Sequence, residues 1–215
     1  MNTVKYPLDA KEVIAYNTTK KFVVIHGSFS RTKHTPFQGN GRDTQIIDTW
    51  NSLPEKYGCA HLIGIDGTHY GTYDDNYWTN HLGLAKQQYL DKQSVGVCLA
   101  NELFLIKNGS RYYAFGTDKP YNYYDGEVYE TKFRGYDYWA KVKDVQIDTL
   151  ANTILSVCAK HVITPKFYTH SQFNPRSLDT ATVVVHSVLN DKVFDLPIDE
   201  RFMSVFESKG IKLVK

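Results

Sequence analysis

Three short apolar runs constrain the fold of this chain more than any other feature. They are KFVVIHG at Lys21–Gly27, SVGVCLAN at Ser94–Asn101 and TATVVVH at Thr180–His186. Each is too short for a helix, is rich in β-branched residues, and reads as a strand of a sheet, the first two as buried strands. Between them the spacing changes to that of helices. Asp43–Tyr57 carries Ile46, Ile47, Trp50 and Leu53 on one face, with Pro54 as an early stop. Val145–His161 carries a wide stripe of Ile147, Leu150, Ile154, Leu155 and Val157. Asp199–Lys209 has Asp199 as its expected N-cap and Gly210 as its stop. The order strand, helix, strands, helix, strand, helix predicts an α/β fold. It is expected to be a single domain, with a central mixed β-sheet flanked by helices.

Smaller signals fill the gaps. Ala60–Ile65 and Thr68–Tyr73 read as strands joined at the tight-turn pair Asp66-Gly67, and Leu103–Phe115 as a hairpin turning at Asn108-Gly109. Arg31–Gly41, rich in His, Pro, Gly and Asn, reads as a loop. At 215 residues the chain suits one domain, 1–215, with a sizeable insertion. Tyrosine marks that insertion, about 108–143: many of the 16 tyrosines fall between Tyr112 and Tyr138. Tyrosine is a good strand former, and its amphipathic ring also suits contact with sugars or another protein.

The bulk numbers exclude several classes. A net charge of +2, from 25 basic and 23 acidic side chains, gives no electrostatic footprint for nucleic acid. Three cysteines, Cys59, Cys98 and Cys158, with no C-x-x-C, argue against a disulfide framework and fit a reducing compartment. No apolar stretch approaches the roughly twenty residues of a membrane span, and the first residues lack the pattern of a secretory signal. H-E-x-x-H, G-x-S-x-G and phosphate-binding loops are all missing from the sequence.

Chemistry concentrates at strand ends. Of the eight histidines, His26 and His186 close the clearest strands, and Asp195 follows His186 by nine residues, before Leu196-Pro197. Two histidines and a carboxylate form a catalytic zinc set that leaves a fourth position to water, whose pKa zinc lowers to about 7. His170 and Asp179, with the same separation and a proline between them, form a rival pair. The stronger strand before His186 and the helix after Asp195 favour His186 and Asp195.

Several segments, in order, resemble the type 2 N-acetylmuramoyl-L-alanine amidases, the family of amidase-type phage lysozymes and peptidoglycan recognition proteins. They are VVIHGS at Val23–Ser28, AHLIGIDGTHYG at Ala60–Gly71, NHLG at Asn80–Gly83, SVGVCLAN at Ser94–Asn101 and HSVLNDKVFDLP at His186–Pro197. THSQFNPRSLD, which holds His170 and Asp179, is similar to the family's ligand segment in its own right. The resemblance implies Zn2+ on His26, His186 and Asp195. It implies Lys192 as a catalytic residue that stabilises the oxyanion, with one extra residue between it and Asp195. His61, His81 and Tyr77 are expected to line the substrate groove or to hydrogen-bond a ligand. Cys98 stands where many members carry a glutamate base, so the proton-transfer partner is open among Glu102, Tyr57 and Tyr77. The implied reaction is hydrolysis of the amide between N-acetylmuramic acid and L-alanine of peptidoglycan. The expected role is that of a monomeric phage endolysin without a separate cell-wall-binding domain. Such a protein waits in the host cytoplasm and reaches the wall once a holin opens the membrane. A non-catalytic peptidoglycan-binding module of the same fold, or a virion-borne or secreted toxin amidase, would carry the same signals.

Overall fold

The computed structural model describes residues 3–28, 43–54, 56–82, 88–114, 123–167, 183–185 and 197–213. One strand from each of the three apolar runs lies beside the next at the centre of an eight-stranded sheet. In chain order its strands are β1 (Thr3–Lys5), β2 (Phe22–Gly27), β3 (His61–Ile63), β4 (His69–Gly71), β5 (Ser94–Leu99), β11 (Lys166–Phe167), β12 (Val183–Val185) and β13 (Lys212–Leu213). Their order across the sheet is β1-β4-β3-β5-β2-β12-β11-β13. β2 and β5 run parallel along their whole length, from Phe22 opposite Ser94 to Gly27 opposite Leu99. β12 is parallel to β2 on the other side, with Val185 opposite Ile25. β3 and β4 are antiparallel about the Asp66-Gly67 turn, where Gly67 takes φ +82°; the other described pairings are parallel.

Successive side chains along a strand point to opposite faces. Val23, Ile25, Ile63, Val95, Val97 and Leu99 therefore share the face packed against α3 (Asp144–His161) and α4 (Glu200–Ser208). α3 offers them Ile147, Leu150, Ala151, Ile154, Val157 and Cys158, all buried at helical spacing. α4 adds Phe202 and Phe206, and its N-terminus is capped by the Asp199 carboxylate, which accepts from the Arg201 N–H at 2.9 Å. On the opposite face, Leu62 and Cys98 meet Ile46, Ile47 and Trp50 of α1 (Asp43–Ser52). That same face carries His26 and Gly96. α2 (Gln88–Gln93) leads directly into β5.

The tyrosine-rich segment forms its own five-stranded antiparallel sheet. Its strands are β6 (Phe104–Asn108), β7 (Arg111–Ala114), β8 (Tyr123–Tyr124), β9 (Val128–Phe133) and β10 (Tyr136–Ala140), in the order β8-β7-β6-β10-β9. Buried Phe104 and Trp139 tie it to the main core. Lys107 Nζ sits 5.4 Å from the Tyr112 ring centre and 5.2 Å from that of Tyr138, so these tyrosines act as ladder residues with a shared cation.

Some boundaries differ from the sequence reading. α1 stops at Ser52, two residues before the expected stop at Pro54. The hairpin turn falls at Gly109-Ser110, one residue on from Asn108-Gly109, because Asn108 stays in the ladder opposite Arg111 and Gly109 supplies the positive φ. The edge strands β1 and β13, and β11 beside β13, have only two or three residues, too few for any periodicity to show. Among the described residues no helix is long and apolar enough to cross a membrane.

Candidate metal centre at His26

β2 delivers His26 to its C-terminal end, opposite Cys98 of β5 and one residue beyond the Ile25–Val185 pair. Its Nε2 lies 2.9 Å from Nδ1 of His81, with the two rings edge to face at 82°. His81 is only 1% exposed, so it is a component of the interior rather than of a solvent-facing wall. Its Nε2 lies 2.8 Å from Ser94 Oγ at the start of β5 and 3.9 Å from the Asp91 carboxylate. The Ser94 hydroxyl in turn donates to the Leu90 carbonyl at 2.7 Å. Asp91 Oδ1 accepts from the Leu82 N–H at 2.8 Å, which fixes the residue after His81. Burial raises the Asp91 carboxyl to about 7, against the opposing pull of that hydrogen bond and of Lys20.

Gly96 explains why this cluster can sit against the sheet. A Cβ there would lie 3.0 Å from both Cys59 Sγ and His81 Nδ1. The missing side chain is the space that the imidazole and the thiol occupy. The S-x-G-x pattern of β5 is thus a cradle: serine holds the far nitrogen of His81, and glycine clears its near edge.

The donor atoms of His26, Cys59 and His81 all lie within 4.8 Å of one another, and all three residues are buried. Two imidazoles and a thiol are a zinc-type donor set. At 2.9 Å the two ring nitrogens are at hydrogen-bonding distance. Zinc shared by these two nitrogens would have to replace that hydrogen bond. Burial and the neighbouring Cys98 push the Cys59 thiol well above its ordinary range, which makes it a reluctant thiolate. His26 therefore fits a metal ligand in two respects: it closes a rigid central strand, and a buried partner fixes its ring.

The other expected site residues divide into three groups. His81 is brought to His26. His186, Asp195, Lys192 and the rival pair His170 and Asp179 lie outside the described residues. His61 is on the opposite face of the sheet, in register with Val97. There it joins a separate polar chain. Thr3 Oγ1 lies 2.9 Å from His69 Nδ1, His69 Nε2 is 3.0 Å from His61 Nδ1, and His61 Nε2 is 3.4 Å from Asp75. Lys160 and His161, at the end of α3, meet the same Asp75 carboxylate. Tyr77 is half-buried, and its carbonyl accepts from Lys20 Nζ at 2.7 Å. Tyr57 packs beside the apolar cluster under α1, and Cys98 lies within that cluster. Cys59, Asp91, Ser94 and Gly96 were not singled out as site residues by sequence. The one available signal was the polar and glycine positions at Ser94 and Gly96 inside an otherwise apolar strand.

No protein-family profile and no curated protein sequence matches the chain. Solved structures do. The N-acetylmuramoyl-L-alanine amidase LysC from Clostridium intestinale URNW superposes with a TM-score of 0.53 at 13% identity, over 99% of each chain. PlyL gives 0.50 at 9% identity, over 98% of this chain and 91% of its own. A mutant endolysin from Bacillus subtilis gives 0.50 at 12% identity, over 98% of each. At these identities the likeness speaks for architecture, and it spans almost the whole chain: the protein has the fold of the N-acetylmuramoyl-L-alanine amidases and endolysins.

Proposed function

We propose that the chain is a zinc-dependent N-acetylmuramoyl-L-alanine amidase, acting on the amide between N-acetylmuramic acid and L-alanine of peptidoglycan as a phage endolysin. The observation that carries this reading is the placement of His26. It closes a central strand of this fold, with its ring held by a buried imidazole. The strand register supports His186 as its partner: β12 runs parallel to β2, and His186 follows Val185 in the chain as His26 follows the paired Ile25. With Asp195 these residues make the two-histidine, one-carboxylate set of zinc hydrolases.

Zinc held there would lower the pKa of its water to about 7 and polarise a bound carbonyl. The chain's own residues do the rest. His26, His186 and Asp195 fix the ion. Lys192 donates to the oxygen that gains charge as the amide carbon becomes tetrahedral. Cys98, buried among Leu62, Ile47 and Trp50, does not serve as the base. The substrate is a muropeptide within the wall. The protein acts as a monomer and reaches the wall from the host cytoplasm through a membrane opened by a holin.

Zinc content separates the ligand sets. We expect one zinc per chain in the wild type and none in His26→Ala, His186→Ala or Asp195→Ala. His170→Ala is expected to keep its metal. Loss of zinc in His170→Ala with retention in His186→Ala would move the site to the rival pair. A wild type that binds no zinc would remove the reading altogether.

A further inference from the structure

We infer that His81 is a positioning residue that fixes the tautomer of His26 and so selects Nδ1 as the nitrogen that meets the metal. This rests on His26 being a ligand, as proposed above. A single hydroxyl proton sets the direction of the whole relay. Ser94 Oγ lies 2.7 Å from the Leu90 carbonyl and 3.4 Å from the Asp91 carbonyl, and neither oxygen can donate. The Ser94 proton therefore points to Leu90. Were it turned to His81 instead, two oxygens would face each other at 2.7 Å with no hydrogen between them. Ser94 is thus an acceptor toward His81, and His81 Nε2, 2.8 Å away, carries a proton. In the neutral imidazole Nδ1 then bears the lone pair. That lone pair faces His26 Nε2 at 2.9 Å, so His26 donates from Nε2 and keeps its own lone pair on Nδ1.

The relay Leu90–Ser94–His81–His26 is directional, and every side chain in it is buried. Metal-ligating histidines commonly owe their ring orientation and tautomer to such a partner on the other nitrogen, and its loss costs about 10–100-fold in metal affinity. Two sequence features take their roles from this. Ser94 supplies the acceptor that orients His81, and Gly96 leaves room for the ring. His81 itself, 1% exposed, acts from behind the ligand and not on the substrate.

Two measurements test it. The first is long-range proton–nitrogen NMR of the histidine rings in metal-free, 15N-histidine-labelled wild type. We expect His26 protonated at Nε2 and unprotonated at Nδ1. The second is zinc affinity by chelator competition. Ser94→Ala and His81→Phe should each weaken zinc binding about 10–100-fold. His81→Asn, whose amide oxygen can take the place of Nδ1, should recover most of the loss. Should His81→Phe fail to fold, the wild-type tautomer and Ser94→Ala decide. A proton on His26 Nδ1 in the wild type, or unchanged zinc affinity in Ser94→Ala and His81→Phe, would overturn the assignment. Because the tautomer is read without metal or substrate, a protein that shows it but leaves peptidoglycan intact supports the role of His81 and removes only the amidase reading.

Discussion

His26 and His81 are hydrogen-bonded through Nε2 and Nδ1 at 2.9 Å, although 55 residues separate them in sequence. The contact depends on a glycine. In Gly96→Ala the new methyl would press on His81 Nδ1 and Cys59 Sγ at 3.0 Å, within a closely packed interior. We expect destabilisation of about 1–3 kcal/mol, together with weaker metal binding. Denaturant unfolding and chelator competition on the same preparation would check both. Unchanged values would mean that the cluster has slack that the distances do not indicate.

Asp75 links two elements through its charge. Burial alone would raise its carboxyl, but the close His161 ring and the hydrogen bonds from His61 and Lys160 outweigh it and hold the group well below the usual carboxylate range. A depressed folded pKa contributes stability at pH values above the unfolded pKa, near 3.9, and loses it as pH falls through the folded value. Asp75→Asn should therefore cost about 2–3 kcal/mol at pH 7, at the low end for a broken buried pair because Lys160 can rehydrate. The gap from wild type should narrow below about pH 4. Urea unfolding at several pH values measures it.

Asp43 has the opposite sign. It is fully buried at the start of α1, and burial raises its carboxyl to about 6 despite the hydrogen bond from the Ile65 N–H. A raised folded pKa means that the stability it contributes is complete below the unfolded pKa and drains away as pH climbs toward the folded one. Asp43→Asn keeps an acceptor for Ile65 and cannot ionise. Relative to wild type it should gain on the order of 1–3 kcal/mol between about pH 4 and 7. Parallel stability curves for the two proteins would contradict this.

Val162 caps α3 in the left-handed region, at φ 56°, and is 93% exposed. A β-branched residue there is strained and, being exposed, buries almost nothing in return. Val162→Gly should raise stability by about 1 kcal/mol. Thermal unfolding would show it as a higher midpoint.

The main helices and the central strands were legible because they are long or strongly patterned: the stripe of α3 and the runs of β2 and β5 admit one reading each. The β-rich character of the tyrosine-rich segment was legible from its tyrosines, but most of its strand bounds were not, since its strands mix Tyr, Lys and Glu without clean alternation. His26 was legible as a strand-end histidine because it closes an apolar run. His81 was legible only as a site histidine, since its partnership with His26 crosses 55 residues and depends on the serine and glycine of another strand. His61 illustrates the reverse. Its neighbourhood resembles the amidase pattern, yet register with Val97 turns it to the α3 side, into the Asp75 network.

Metal-dependent cleavage of one amide bond, as proposed for this protein, can be read by mass spectrometry of purified sacculi incubated with it, with and without a zinc chelator. We expect release of stem peptides beginning with L-alanine, abolished by the chelator and restored by added zinc. Intact sacculi, or cleavage at a sugar or cross-link bond instead, would contradict it.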